Sequence, residues 1–294
     1  MVEGAPTPSK KRIVFDLSAC AKKRPPPPPP EVIPRAGDVK IGCVRWTAPP
    51  PLLAHRLGNP VTILGFDIES HDWLGDRSNE LHIGQFGHYC RLADEELDYQ
   101  RIVQLGFACG DVGSIAPTVQ NSKCVCPNGF SVSAQAEKLH QKSQDFLEKE
   151  GQPLAEVLEE FMKLATQVSE SGGRLVAHQL EFDAGVIYRE LERCGLSHYQ
   201  EAWSRIAAAG FCTMDPDLGR WIIQCCGEDV GPAWVRNTTR LDRLFKLLFP
   251  KENHPEEHKM LQHQHDACYD AVMTRMIYTK AGEIAQNLKP PSIA

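Results

Sequence analysis

Residues 61–68, Val-Thr-Ile-Leu-Gly-Phe-Asp-Ile, make an apolar, β-branched run of strand length that ends in the pair Asp67 and Glu69. Such a run predicts a strand in a core. Side chains two apart on a strand share one face, so both carboxylates point the same way. Two unpaired charges on the buried face of a strand cost too much to keep. A divalent cation is the simplest counter-ion; a solvated strand end with salt-bridge partners is the other reading.

Two further stretches carry acids at element junctions. Gly172-Gly173 stops one helix and opens a strand at 174–178, ending in His178. A helix is expected from about Phe182 to Cys194, with Gly195 as its stop and Asp183 in its first turn. The helix dipole favours an acid there, so capping is the alternative role for Asp183. The third stretch is His265-Asp-Ala-Cys-Tyr-Asp270-Ala, opening a last helix that reaches about Ala285. Its spacing is expected to set His265 and Asp270 more than one turn apart, with His265 mobile at a frayed helix start. Four carboxylates and one His at strand and helix ends suit phosphodiester hydrolysis on two divalent cations. The acids hold hard ions, Mg²⁺ or Mn²⁺ for an oxygen ligand set, and the His takes the proton of the attacking water.

Around these motifs the pattern alternates. A second strand is expected at 102–109, and helices at 131–143, 154–169, 201–209, 218–225 and 241–249, the last closed by Pro250. Residues 72–97 read as an inserted loop or ragged hairpin. This order predicts an α/β domain over 61–294, a mixed sheet with helices on both faces and its ligands at the strand ends.

Residues 1–60 read as a disordered, Pro-rich, basic tail. Six consecutive prolines at 25–30 favour polyproline II, either as a solvated linker or as a ligand for SH3 or WW modules. Lys10-Lys11 and Lys22-Lys23-Arg24 have the form of a bipartite nuclear-import signal. The tail holds ten basic and four acidic residues, +6; with −6 for the whole chain, residues 61–294 carry −12. That balance disfavours a broad basic footprint on long duplex and favours short or single-stranded ends. Eleven cysteines without paired CxxC spacing argue for reduced, mostly buried thiols in an intracellular protein, nuclear or cytoplasmic, and no run suits a membrane span.

Phe66-Asp67-Ile68-Glu69, then Ala177-His178-x-x-x-Phe182-Asp183, then His265-x-Ala267-x-x-Asp270-Ala271 together resemble the three motifs of the DEDDh branch of the 3′–5′ exonucleases, in the ribonuclease H-like superfamily. Relatives there include the proofreading epsilon subunit, RNase T and oligoribonuclease. The likeness runs from about Val61 to Ala285. It implies a ribonuclease H-like fold in which Asp67, Glu69 and Asp270 hold two metals, Asp67 bridging them. Asp183 would reach the second metal, and His265 would be the general base. It implies removal of nucleoside 5′-monophosphates from 3′ ends of single-stranded DNA, RNA or short oligonucleotides. Ser70, His71 and His178 become candidate substrate contacts, and Trp73 either stacks a base or lies in the core. Gln179 stands where many relatives have Asn, and the stretch 72–97 is longer than the usual connection. The competing reading is an interaction protein with a polyproline tail, whose exonuclease-like fold binds nucleic acid without cutting it.

Overall fold

The apolar run becomes β1 (Thr62–Ser70), the middle strand of a five-stranded sheet. The computed structural model describes residues 46–73, 82–227 and 239–288, all within the compact unit Val39–Ala294. On one side of β1 lie β4 (Ile102–Asp111) and then β5 (Val119–Cys124), each antiparallel to its neighbour. On the other lie β6 (Arg174–Ala177) and β7 (Phe211–Cys212), both parallel. A short hairpin, β2 (His82–Ile83) with β3 (Tyr89–Cys90), stands apart from this sheet. The expected mixed sheet with helices on both faces is therefore present.

Alternation along β1 divides the core in two. Leu64, Phe66 and Ile68 face α5 (Leu154–Glu170), α6 (Leu180–Arg193) and α7 (Gln200–Ala208), where Phe66, Phe161 and Trp203 pack ring against ring. Ile63 faces α8 (Pro216–Cys225), α9 (Leu241–Leu248) and α10 (Ala267–Asn287). By the period of two, Gly65, Asp67 and Glu69 share that second face.

Two glycines let α10 lie directly on the sheet. A Cβ on Gly65 would stand 2.5 Å from the Ala271 carbonyl oxygen, and one on Gly106 would stand 2.1 Å from the Ala267 carbonyl carbon. Gly106 pairs with Asp67 across the β1–β4 ladder, so the close approach falls beside the acidic strand end. Arg275 locks the far end of the contact. Its fully buried guanidinium donates to the carbonyl oxygens of Asp111, Ser114 and Ile115, each at 2.7 Å.

The start of the folded part moves upstream from Pro60. Within the segment read as tail, Pro51–Leu57 forms α1, with Leu53 0% and Leu57 2% exposed. Proline at a helix's first position loses no hydrogen bond, so Pro49-Pro50-Pro51 does not exclude a helix start. Trp46 packs on Trp221 at 5.5 Å, and the Trp221 indole N–H donates to the Thr47 carbonyl oxygen at 2.9 Å. The proline run and the two basic clusters lie outside the described residues.

Other elements also differ. The helix expected at 131–143 is α3 (Ala134–His140), and a further helix, α4 (Gln144–Glu150), follows it; each is capped by a serine, Ser133 and Ser143. Part of the 72–97 stretch is the β2–β3 hairpin, and Asp94–Tyr99 is a helix, α2. No described helix is long and apolar enough to cross a membrane.

Candidate active site

Asp67 and Glu69 stand at the carboxyl end of β1, Asp183 is the fourth residue of α6, and Asp270 is the fourth of α10. Ligating atoms of Glu69, His265 and Asp270 all lie within 4.8 Å of one another. Asp67 and Asp183 couple to this tight set through their charges. Burial, then Asp183, Asp270 and Glu69, push the Asp67 carboxyl well above the usual carboxylate range. Burial, then Glu69 and Asp270, do the same to Asp183. Burial and Asp270 raise Glu69, against the pull of Lys142, and burial raises Asp270 to about 7. Four acids have been brought together where their charges repel and water is scarce.

The donor set fits a divalent cation. Asp183 Oδ2 and Asp270 Oδ1 are buried with no hydrogen-bond partner. Buried acceptors left bare are rare and call for an explanation such as a bound ion. Carboxylate oxygens are ligands for hard divalent cations. Asp183 does not cap α6: the N-cap is Gln179, with φ of 69° and no side-chain cap bond.

His265 is placed differently from the expectation. The helix starts at Ala267, so the five-residue spacing to Asp270 is not a helical one. His265 adopts a left-handed φ of 65°, and its backbone N–H donates to Asp270 Oδ2 at 3.1 Å. That turn folds the residue back beside Asp270 instead of leaving it at a frayed end. Although His265 is exposed, partial desolvation by its neighbours, then the charge of Arg240, lowers the imidazole pKa against the pull of Asp242, which favours the neutral, proton-accepting ring.

Ser70, His71 and His178 are not brought into this cluster. The Ser70 hydroxyl donates to the Asp72 carbonyl oxygen at 3.1 Å. The His71 ring is buried between Tyr99 and Phe130, at 5.0 and 5.2 Å, and its Nδ1 accepts the Arg101 backbone N–H at 3.2 Å. His178 lies 2.9 Å from the Thr213 hydroxyl, and burial lowers its pKa to about 3.

Supporting residues emerge that sequence reasoning passed over. Asp266 caps α10, accepting the Cys268 N–H at 3.1 Å. Its other oxygen accepts from Gln104 Nε2 and Lys142 Nζ, both at 3.1 Å. Gln104 sits opposite Glu69 in the ladder and also accepts the Ala267 N–H at 3.3 Å. Asp266, Gln104 and Lys142 thus tie α10 to β4 and to the turn after α3. An Asp directly before an apolar helical run is an N-cap signal, the one local mark that pointed here.

Glu181 is a second such residue. It is 1% exposed, and its carboxylate accepts the backbone N–H groups of Phe86 at 2.8 Å and His88 at 3.0 Å. The β2–β3 hairpin is thereby fastened to α6 two residues from Asp183. Glu181→Ala leaves those amides without their acceptor, a loss of roughly 1–3 kcal/mol. The Phe86 and His88 amides are then expected to exchange with deuterium at least ~10-fold faster than in wild type. Unchanged protection of both would remove the clamp.

No protein-family model and no curated protein matches the sequence. Solved structures do match the fold. Exonuclease I from Methylocaldum szegediense aligns at 15% identity and a TM-score of 0.51, covering 76% of this chain and 40% of that one. E. coli exonuclease I in complex with a dT13 oligonucleotide aligns at 15% identity and a TM-score of 0.48, covering 74% and 40%. A 3′-exonuclease solved for recognition of a histone mRNA stem-loop aligns at 11% identity and a TM-score of 0.47, covering 76% and 81%. The chain spans about 40% of the length of the exonuclease I chains it matches. At these identities the likeness to the M. szegediense enzyme is one of fold.

Proposed function

We propose that this chain is a metal-dependent 3′–5′ exonuclease of the DEDDh kind. It would hydrolyse phosphodiester bonds at the 3′ ends of single-stranded DNA, RNA or short oligonucleotides and release nucleoside 5′-monophosphates. The observation that carries this reading is the meeting of Glu69, His265 and Asp270 within 4.8 Å, with the acids of Asp67 and Asp183 coupled to them. The M. szegediense protein with the same fold is named an exonuclease.

Asp67, Glu69, Asp183 and Asp270 would hold two divalent cations, Mg²⁺ or Mn²⁺, which supply water activation and charge neutralisation at the leaving oxygen. Until the ions bind, the acids share protons instead of all ionising, because burial and mutual repulsion disfavour the charged forms. His265 accepts the proton of the attacking water on a neutral ring nitrogen. Its left-handed backbone and its bond to Asp270 fix where that ring starts from. Trp73, 48% exposed three residues past β1, offers a face on which a base can stack. Ser70, the last residue of β1, and His178, just past β6, would bound the space for the terminal nucleotide.

The test is direct. The full chain with Mg²⁺ or Mn²⁺ is expected to shorten a 5′-labelled 20-mer one nucleotide at a time, releasing nucleoside 5′-monophosphates, and EDTA is expected to stop it. Binding of the strand without cleavage under either metal would leave the nucleic-acid-binding interaction protein as the surviving reading.

A further inference from the structure

A shallow groove of about 310 Å³ is lined by Arg240, Asp242, Arg243 and Lys246. It lies on α9 and the residue before it. The apolar side of that helix, Leu244, Phe245 and Leu248, is buried in one core with Met273 and Ile277 of α10. The groove is therefore mounted rigidly on the helix that carries Asp270. Its charges reach the histidines: those of Arg240 and Asp242 act on the ring of His265, and that of Asp242 acts on His178.

Asp242 serves the groove from within. Its side chain, 16% exposed, accepts from Arg240 Nε at 3.0 Å and from Lys246 Nζ at 2.9 Å. Those two cations remain 64% and 51% exposed. One recessed acid thus splints two outward-facing cations, and Arg243 adds a third positive charge. Holding long side chains in place before binding removes part of the entropy cost of ordering them on a ligand.

A chain of net charge −6 with four clustered acids repels the polyanion it is proposed to cut. A positive strip next to the centre is what brings such a substrate in. Guanidinium groups match phosphate oxygens in a two-point fork, and a lysine adds a point charge. We infer that the Arg240–Lys246 groove is a phosphate subsite that takes the backbone of a single strand upstream of its 3′ end. The inference rests on the exonuclease reading above and deepens it. DNA and RNA present the same phosphodiester chemistry there, so both are tested.

The experiment measures kcat and KM on matched 20-nucleotide DNA and RNA strands across a range of KCl concentrations. Wild type is compared with Arg243→Glu/Lys246→Glu and the milder Arg243→Gln/Lys246→Gln. The charge-reversed protein is expected to show KM raised on the order of 10-fold or more on both strands, with a smaller change in kcat. Loss of two phosphate contacts is expected to flatten the slope of log KM against log salt by about 1.4, at ~0.7 per contact on a single strand. The Gln pair is expected to give the same flattening with a smaller rise in KM, and to answer the question should the Glu pair not fold. Lys149→Glu/Lys163→Glu makes the same charge change on exposed parts of α4 and α5; its KM is expected to stay within about twofold of wild type. Equal rises in KM for the groove and control pairs would reduce the effect to net charge and overturn the inference. So would an unchanged KM and salt slope in the groove variants. An effect on one sugar type alone would overturn it as well, by making the contact one to sugar or base. A wild-type chain that cuts neither strand would defeat the exonuclease reading itself, a separate result.

Discussion

Asp270→Asn is expected to abolish strand cleavage while making the metal-free protein more stable. Activity is expected to fall by on the order of 10³-fold or more, a loss of about 4 kcal/mol of transition-state stabilisation. Asn keeps the shape, and its oxygen still accepts the His265 N–H, so the turn at His265 survives. What disappears is one negative charge among four crowded acids. The sign of the stability change follows from linkage. The folded-state pKa of Asp270 is raised to about 7, so the native state binds its proton more tightly than the unfolded chain does. Wild-type stability therefore falls as pH rises from near the unfolded carboxylate value toward about 7. Asn carries no such penalty. In EDTA the two proteins are expected to melt alike near pH 4. By pH 7.5 the variant is expected to melt roughly 4–8 °C higher, equivalent to ~2 kcal/mol for a domain of this size. Added Mg²⁺ is expected to raise the wild-type Tm and narrow the gap, because an ion that binds only the folded state stabilises it by mass action. Thermal melts from pH 4 to 8, with EDTA or Mg²⁺, read all of this. An Asn variant that melts below wild type at pH 7.5 would falsify the crowded-acid account even if activity were lost.

Gly106→Val is expected to cost stability and activity together. A Cβ at this position meets the Ala267 carbonyl carbon at 2.1 Å, its oxygen at 2.3 Å and the Cys268 nitrogen at 2.3 Å. These are backbone atoms at the first turn of α10, where no rotamer change gives room. The helix must lift from the sheet, taking Asp266 and Asp270 with it. Overpacking of this kind costs on the order of 3 kcal/mol, read as a lower urea midpoint. Cleavage is expected to drop by at least ~10²-fold, because displacements of about an ångström already carry losses of that size. Gly113→Ala is the comparison, since a Cβ there meets nothing within 4 Å; its stability is expected to stay within about 0.5 kcal/mol of wild type. Wild-type stability and cleavage in the Gly106 variant would show that α10 does not depend on this contact.

Legibility in the sequence tracked how locally each element is determined. β1, β4, α5 and the last helix are long and strongly patterned, and all were readable. β5 was not: Gln120, Asn121, Ser122 and Lys123 carry no apolar alternation, and the strand exists because the edge of β4 offers it a ladder. β7 is two residues long, too short for a pattern. α1 was hidden by prolines that mark a tail as readily as a helix start; its anchors, Leu53 and Leu57, gain their meaning only from the core they fill. Within the site, the three residues whose ligating atoms meet, Glu69, His265 and Asp270, all lay in stretches that the sequence singled out. The clamp of Glu181 on the hairpin and the ties of Gln104 and Lys142 to Asp266 were not legible, because each joins segments far apart in the chain.

The sequence by itself determined which carboxylates sit on β1 and on the first turns of α6 and α10, since period-two and helical patterns are properties of neighbouring residues. Only the tertiary structure decided that Glu69 and Asp270 meet, how closely α10 approaches Gly65 and Gly106, and that His265 turns back onto Asp270. Those outcomes depend on shape and charge between residues up to two hundred positions apart, and no local pattern encodes a distance across the core.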